Sequence, residues 1–242
     1  MKRMGDLIVL ELEATLMGGP MVIHPVAIVM PDGTLTLVDT GIPGMTDAID
    51  AELKAAGHSL ADVKQVIVTH HDLDHIGSLE AVVAATGAEV LALEAEVPYI
   101  DGRERSQKMP SEEQVQAMLV DPNLNPAMRA MITRPPVKVP VTRVLHDGDE
   151  LPGGIRVVAT PGHTVGHLSV YLTGSKTLIT GDAMTSEGGT LNGPNERATP
   201  DMAGALQSVK KLSGLDVQTV LTYHGGLVTE NADAQLKALA NI

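Results

Sequence analysis

The hydrophobic positions of this chain recur in short runs that alternate between strand-like and helix-like spacing. In the first third, apolar and β-branched runs predict strands at residues 7–13, 22–30, 34–38, 65–68 and 88–93. Apolar residues at helical spacing predict helices between these strands, at residues 46–57 and 78–85. The turn Pro31-Asp32-Gly33 separates two of the strands, so we expect hairpin-like pairing among the first three.

The same alternation returns after residue 140. It predicts strands at residues 141–145, 155–159, 168–172, 177–180 and 217–221, and helices at 201–213 and 230–240. A β–α–β alternation indicates an α/β fold with helices outside the sheet. No low-complexity segment or linker interrupts the chain, so we expect a single domain over residues 1–242.

Residues 98–140 break this rhythm. Prolines frame two short helical stretches at about 111–120 and 125–133, and the segment gathers Met109, Met118, Met128 and Met131. Flexible thioethers suit a lid over a substrate pocket, although the same side chains would also fill gaps in an ordinary core. Basic residues that could meet an acidic substrate are Arg103, Arg105 and Lys108.

Composition narrows the function classes. The chain has 242 residues, no Cys, no Phe and no Trp, so disulfides and thiolate metal ligands are excluded. Its formal net charge of −13 argues against binding to a phosphate backbone. No apolar run approaches the ~18 residues of a membrane span. We therefore expect a small-molecule substrate, no nucleic acid and no membrane partner, and leave a homodimer open.

The N-terminus bears on the compartment. Lys2 and Arg3 are followed by Asp6, Glu11 and Glu13, which interrupt any apolar signal-peptide core. We therefore expect a cytoplasmic protein.

The densest chemistry lies in the nine residues from Thr69 to Gly77, between a predicted strand and a predicted helix. Four of them are metal-ligand types, namely His70, Asp72, Asp74 and His75. In extended backbone successive side chains point to opposite sides, so His70 and Asp72 would point the same way. Asp74 and His75 are adjacent and lie at the turn, so they can point to a second place. One loop could thus serve two metal ions. The alternative is a solvated polar turn on the surface.

Four further polar residues follow predicted strands and adjoin Gly or Thr turns: Asp39, His163, Asp182 and His224. Asp39 could be a turn residue that accepts local backbone N–H groups, or it could orient a metal ligand. Carboxyl ends of strands are where open α/β sheets place their chemistry.

The order of these motifs resembles the metallo-β-lactamase superfamily, and the match spans almost the whole chain. The matching stretches are Asp39-Thr40-Gly41, the loop 69–77, Pro161-Gly162-His163-Thr164, Gly181-Asp182 and Tyr223-His224-Gly225. The resemblance implies a four-layer αββα sandwich, within the α/β (α+β) class, with a dinuclear metal site at one edge of the paired sheets.

The resemblance also implies a ligand set. His70, Asp72 and His163 would hold the first metal, Asp74, His75 and His224 the second, and Asp182 would bridge them. His71 stands at the variable position of the motif and is expected to face solvent. His167 is expected to be structural or near the pocket. Structural or surface roles are expected for His24, His58 and His146.

Asp72 departs from the family pattern, which has His at this position. A carboxylate is a harder ligand, so it shifts preference from zinc toward iron or manganese. The flavodiiron branch also has a carboxylate there, as Glu, but in that branch a flavodoxin domain follows the metal domain, and we do not expect one here. We expect two divalent ions, with zinc first and iron or manganese as alternatives.

The implied chemistry is hydrolysis. Two dications about 3.5–4 Å apart can activate a shared hydroxide for attack on a carbonyl or phosphorus centre. Asp74 or Asp182 would guide the proton to the leaving group. The expected substrate is a small ester, lactone, thioester or related compound. Homoserine-lactone hydrolases have a Tyr shortly after the bridging Asp, where this chain has Ala183-Met184-Thr185. A stand-alone diiron redox domain and a non-catalytic binding protein are the alternatives.

Overall fold

The computed structural model describes residues 1–16 and 19–241. Its strands, in chain order, are β1 (Lys2–Met4), β2 (Leu7–Val9), β3 (Leu12–Leu16), β4 (Gly19–Ile23), β5 (Val26–Val29), β6 (Leu35–Val38), β7 (Val63–Ile67), β8 (Glu89–Leu93), β9 (Arg143–Leu145), β10 (Glu150–Leu151), β11 (Ile155–Ala159), β12 (Leu168–Leu172), β13 (Thr177–Ile179), β14 (Thr185–Glu187), β15 (Thr190–Asn192), β16 (Thr219–Thr222) and β17 (Gly226–Val228). Its α-helices are α1 (Thr46–Ala55), α2 (Leu73–Ile76), α3 (Leu79–Thr86), α4 (Val97–Ile100), α5 (Glu112–Leu119), α6 (Pro126–Thr133), α7 (Met202–Leu212) and α8 (Ala232–Leu239).

Two mixed sheets form the centre of the fold. Within the described ranges, one sheet has seven strands in the order β1-β2-β5-β6-β7-β8-β9, and the other has six in the order β10-β11-β12-β13-β16-β17. The predicted hairpin-like pairing is confirmed, since β5 lies antiparallel to both β2 and β6. Strands β6, β7 and β8 are parallel, as are β13 and β16. Parallel strands bring their carboxyl ends to one edge.

Apolar side chains separate the fold into four layers. One cluster fills the space between the sheets and includes Leu91, Val170 and Leu221. A second packs α1 and α3 onto the first sheet, with Ile49 and Leu79 fully buried. A third packs α7 and α8 onto the second sheet. Each such side chain contributes about 1.5–3 kcal/mol through burial. The expected αββα sandwich is therefore confirmed.

The structure differs from the predicted elements near the N-terminus. The predicted strand at 22–30 is interrupted, because β4 ends at Ile23 and β5 begins at Val26. Pro25 has no amide hydrogen, and the His24 N–H donates instead to the Tyr223 carbonyl at 3.1 Å. The predicted strand at 7–13 is likewise divided between β2 and β3. The hairpin of β14 and β15 was not predicted. It turns at Gly188 and Gly189, which both have positive φ.

The segment between β8 and β9 contains three helices, α4 to α6, and the two predicted stretches in it are confirmed by α5 and α6. Ser111 caps α5, since its hydroxyl accepts a hydrogen bond from the Gln114 N–H at 3.2 Å. The segment is attached to the body of the protein through Ile100, which is fully buried and accepts the Val139 N–H at 3.1 Å. Among the described residues, no helix is long and apolar enough to cross a bilayer.

Candidate metal centre

Polar side chains from both sheets meet where the parallel strands end. Asp39 follows β6, the loop 69–75 follows β7, Asp182 follows β13 and His224 follows β16. The remaining contributor, His163, lies in the loop between β11 and β12. Because these strand ends share one edge of the sandwich, the seven ligand-type residues named from the sequence come together in space.

The first group of ligand atoms belongs to His70, His163 and Asp182. One atom from each of these residues lies within 4.8 Å of the others. The Nε2 atom of His163 is 3.3 Å from Asp182 Oδ2. Both histidine side chains are almost completely buried. Their shared position suits a metal ion with imidazole and carboxylate ligands.

The second group belongs to Asp74, His75 and His224, whose ligand atoms also lie within 4.8 Å of one another. Asp74 Oδ2 is 3.2 Å from His224 Nε2 and 3.8 Å from His75 Nε2. Asp182 connects the two groups. Its Oδ1 is 3.3 Å from His75 Nε2, and its Oδ2 is 3.4 Å from His224 Nε2. One carboxylate therefore faces both sets of imidazoles, as a bridging ligand would.

Asp72 lies beside the first group. Its Oδ2 is 3.3 Å from His70 Nε2 and 3.0 Å from His163 Nε2. The Lys108 ammonium reaches the same place from the segment between β8 and β9, where it contacts Asp72 Oδ2 and lies 2.6 Å from His163 Nε2. Of the three basic residues noted in that segment, Lys108 thus extends into the site. Arg103 instead pairs with Asp101 at 2.7 Å.

Asp39 orients the second group. Its Oδ1 accepts the Thr69 N–H at 2.8 Å, and its Oδ2 accepts the Thr69 hydroxyl at 2.7 Å and faces His75 Nδ1 at 2.8 Å. A carboxylate accepts only, so Nδ1 carries the proton and, in the neutral ring, Nε2 keeps its lone pair toward the site. Asp39 has a φ of 61°, a region that Asp tolerates better than most residues. The orienting role anticipated for Asp39 agrees with these contacts.

Backbone and aromatic contacts fix the same loop. The His75 carbonyl accepts both the N–H and the hydroxyl of Thr40, at 2.7 and 2.9 Å. The buried ring of Tyr223 stacks on His75 with centroids 3.8 Å apart, and its hydroxyl donates to the Asp74 carbonyl at 2.5 Å. These contacts from Thr40 and Tyr223 therefore hold the short helix α2, with Asp74 and His75, in one orientation without a metal ion.

Buried atoms without partners test whether metal ions fit. In the part of the chain that the structure describes, His70 Nε2, His75 Nε2 and Asp182 Oδ1 are buried and have no hydrogen-bond partner. Leaving a buried polar atom unsatisfied costs about 1–3 kcal/mol. All three atoms face the site and are ordinary ligand atoms for divalent metals. The residues present therefore fit metal ions.

The electrostatics of the second group point the same way. Burial lowers the pKa of His75, but the nearby charges of Asp182, Asp39 and Asp74 together raise it well above its usual range. His224 is affected similarly: burial lowers its pKa, whereas Asp182 and Asp74 raise it to about 9. Burial raises the pKa of Asp182, but the charges of His75 and His224 hold it well below its usual value. The site concentrates negative charge that a dication would balance.

The first group behaves differently. Burial and the charge of His75 hold the pKa of His70 well below its ordinary value, so the ring stays neutral and available as a ligand. His167, directly behind it, is fully buried. Its Nε2 accepts the Asp182 N–H at 3.0 Å and its Nδ1 faces the Thr160 hydroxyl at 2.8 Å. Burial lowers the pKa of His167 to about 3. It holds the backbone of Asp182, which agrees with the structural role expected for it.

The expectation that His71 faces solvent is wrong. Only 4% of the residue is exposed, because its ring lies against the Tyr99 ring and its Nδ1 is 2.5 Å from a carboxylate oxygen of Glu96. No local pattern in the sequence could reveal this buried partner of His71, because Glu96 lies 25 positions further along the chain. Of the unmatched histidines, His146 is exposed and His24 is buried, with its Nδ1 3.0 Å from the Tyr223 carbonyl.

Sequence reasoning missed the roles of Glu96 and Tyr223. A signal for Glu96 existed, because it follows the predicted strand 88–93 and so belongs to the same sheet edge as the ligand loop. Tyr223 stands within a named motif, but its hydroxyl contact with the Asp74 carbonyl spans 149 positions. No local pattern reveals such a contact.

Comparison with known proteins gives a consistent result. A family model described as the metallo-β-lactamase superfamily matches residues 19–224. The chain is 30% identical over 227 residues to the probable metallo-hydrolase YflN of Bacillus subtilis, with 86% of this chain and 82% of that protein covered. It is also 30% identical over 187 residues to a hydroxyacylglutathione hydrolase of Brucella anthropi. That match covers 76% of this chain and 54% of the relative, so the chain spans about half of its length.

Solved structures share the fold. A metallo-β-lactamase family protein from Thermus thermophilus superposes with a TM-score of 0.73 at 23% identity, covering 98% of this chain and 79% of the other. A protein solved in a di-iron-bound form superposes with a TM-score of 0.65 at 24% identity, covering 93% and 98% of the two chains. At these identities the likeness concerns the fold.

Proposed function

The chain belongs to the metallo-β-lactamase superfamily and is a hydrolase of that fold, and on this premise we propose that it is a dinuclear metallohydrolase for a small ester, lactone or thioester. The observation that supports two ions is the pair of ligand groups that share Asp182. His70, Asp72 and His163 would hold one ion, and Asp74, His75 and His224 the other. The named hydrolase relatives support the reaction class.

When bound, the two ions would supply an activated water as nucleophile and would polarise the scissile carbonyl. The chain's own residues do the rest. Asp182 spaces the two ligand groups, and Asp39 fixes the tautomer of His75. We assign proton transfer to Asp74, because its side chain is 19% exposed whereas that of Asp182 is 12% exposed and faces three imidazoles. Asp74 accepts the proton of the attacking water and returns it to the leaving group.

The identity of the ions turns on Asp72. Zinc is our first expectation, since the set is rich in imidazole. The carboxylate of Asp72 supports iron or manganese as the alternative. One structural neighbour was solved in a di-iron-bound form, which is compatible with a harder metal. The same observation supports the second candidate, a stand-alone diiron redox domain.

The substrate class is suggested by the segment between β8 and β9, which we propose as a lid. Lys108 lies between the ligand set and a shallow, open surface cavity of about 520 Å³, whose other lining residues are Met109, Pro110, Gln114, Ala117 and Met118. Gln107 holds this stretch to the site, because its side chain accepts the Val165 N–H at 3.2 Å. An apolar acyl group with a carboxylate fits this arrangement. The hydroxyacylglutathione hydrolase relatives support a thioester among the candidates.

Metal analysis with a hydrolysis panel tests the proposed function. Protein purified without chelator should hold close to two metal ions per chain, and reconstitution with zinc, iron or manganese should identify the most active form. Thioesters, esters and lactones should be compared. Asp74→Asn, assayed with metal ions in excess so that its weakened second site is filled, should lower kcat. His146→Gln, at an exposed position, should leave kcat and metal content unchanged. Metal content near zero after supplementation would contradict the proposal, whereas oxygen consumption without hydrolysis would favour the redox alternative.

A second assay tests the role of Lys108. Lys108→Ala should raise KM for an ester that bears a carboxylate and should have little effect on its uncharged analogue. Arg105→Ala is the matched control, since Arg105 is an exposed cation of the same segment. Equal changes for both substrates would contradict recognition of an anion by Lys108.

A further inference from the structure

A buried carboxylate outside the proposed ligand set connects the two loops that supply the first-metal ligands. Glu96 follows β8 and is fully buried. On one side lies the loop 69–75, with His70 and Asp72. On the other lies the loop 160–167, with His163. Burial of an ionised carboxylate is costly unless donors surround it, so its partners show what it orders.

Glu96 has four donors, two from each loop. Its Oε2 accepts the His71 N–H at 2.9 Å and faces His71 Nδ1 at 2.5 Å. Its Oε1 accepts the Thr164 hydroxyl at 2.6 Å and the Gly166 N–H at 2.9 Å. Each oxygen therefore serves one loop, and the carboxylate spans the gap between them.

The loops approach Glu96 closely. A Cβ atom added at Gly166 would lie 2.8 Å from the Glu96 backbone nitrogen and 2.9 Å from its Cγ, so a side chain there would force the loops apart. On the opposite side, the His71 and Tyr99 rings stack with centroids 4.4 Å apart. The carboxylate is thus confined by both loops.

We infer that Glu96 is a positioning residue for the first metal ion. His71 stands between the proposed ligands His70 and Asp72, and Thr164 directly follows the proposed ligand His163. Fixing these neighbours sets the distance between the ligands of the first group. The second group has supports that do not include Glu96, since His75 is held by Asp39 and Thr40. This inference rests on the proposed dinuclear site. It states that Glu96 affects the affinity for the first ion and not the affinity for the second.

Glu96→Gln is the decisive variant. The amide has one oxygen, so its NH2 group must face a donor of one loop, either the Gly166 N–H or the His71 N–H. Loss of an outer partner of a metal ligand typically lowers metal affinity about 10–100-fold. We expect that loss for the first ion and none for the second, measured by titrating the metal-free chain with Co²⁺ and following the d–d absorption. His163→Ala and His224→Ala, which each remove a ligand of one group, assign the two spectral components.

Milder variants keep the test informative if Glu96→Gln folds poorly. Thr164→Val removes one donor to Glu96 and should weaken the first ion, whereas Thr164→Ser retains the hydroxyl and should restore its affinity. Leu236→Ala, in α8, removes a buried side chain from a cluster that contains no residue of either loop, and so lowers stability. It shows how far instability alone affects binding.

The outcomes separate the two proposals. A wild-type chain that binds fewer than two ions contradicts the proposed function. A wild-type chain with two ions, combined with Glu96→Gln and Thr164→Val variants that bind both ions normally, contradicts only the role of Glu96. Weakening of both ions by the same factor in Glu96→Gln, matching the effect of Leu236→Ala, would also refute it.

Discussion

Replacement of Asp39 by Asn tests how the fold prepares a ligand before an ion binds. The substitution keeps the shape of the side chain, and Asn also tolerates the positive φ of 61° at this position. It changes only the hydrogen-bonding capacity. Asp39 accepts from Thr69 and His75 through both oxygens, and an amide can replace one oxygen at most.

Each orientation of the amide leaves a mismatch. If the NH2 group takes the place of Oδ1, it meets the Thr69 N–H, which lies 2.8 Å from Oδ1. If it takes the place of Oδ2, the Thr69 hydroxyl can rotate, but His75 Nδ1 must become an acceptor. The ring proton then moves to Nε2 and blocks the lone pair that a metal ion needs. A buried donor left unpaired costs about 1–3 kcal/mol.

We therefore expect Asp39→Asn to lower the unfolding free energy by about 1–3 kcal/mol and to weaken binding of the second ion about 10–100-fold. Urea denaturation of the metal-free chain measures the first quantity, and Co²⁺ titration measures the second. Asp32→Asn is a matched control, because Asp32 also accepts the N–H and hydroxyl of a threonine, Thr34, but at an exposed turn. Unchanged stability and unchanged affinity in Asp39→Asn would refute the orienting role.

Three further predictions concern other parts of the site. Asp72→His should raise the preference for zinc over manganese or iron, and unchanged preference in competition binding would mean that Asp72 is only a tolerated substitute. Met118→Ala should change the discrimination between substrates, measured as kcat/KM, by about 1–3 kcal/mol and should leave the metal content intact. Met128→Ala is the control, because Met128 is 38% exposed and does not line the cavity. In chelator-treated protein, burial lowers the pKa of His224 but Asp182 and Asp74 raise it to about 9, compared with the ordinary 6.5. The stabilisation that results is complete below the ordinary pKa and disappears as pH rises through the raised pKa, so the unfolding free energy should fall across that interval. His224→Gln should reduce this fall, and the raised pKa of His75 accounts for the part that remains.

The sequence alone predicted the individual strands and helices, and its resemblance to a known family implied the layered fold and the composition of the candidate metal centre. Strand and helix periodicity are local properties, so β11, α5 and α7 could be predicted to within one or two residues. The ligand types also appear at strand ends, which general topology places at one edge. Because His70 and Asp74 are close in sequence, their shared loop was visible without tertiary information.

Only the tertiary structure decided which residues support those ligands. Glu96 reaches Thr164 and Gly166 across 68 and 70 positions, and Lys108 reaches His163 across 55. Contacts of this kind depend on how the sheets and loops pack, and such packing produces no periodic pattern of residues in the sequence. For the same reason His71 read as a solvent-facing residue of the motif, although Glu96 and Tyr99 bury it. Sequence motifs and the resemblance they carry identified the candidate ligands of this protein, and long-range packing determined which residues orient them.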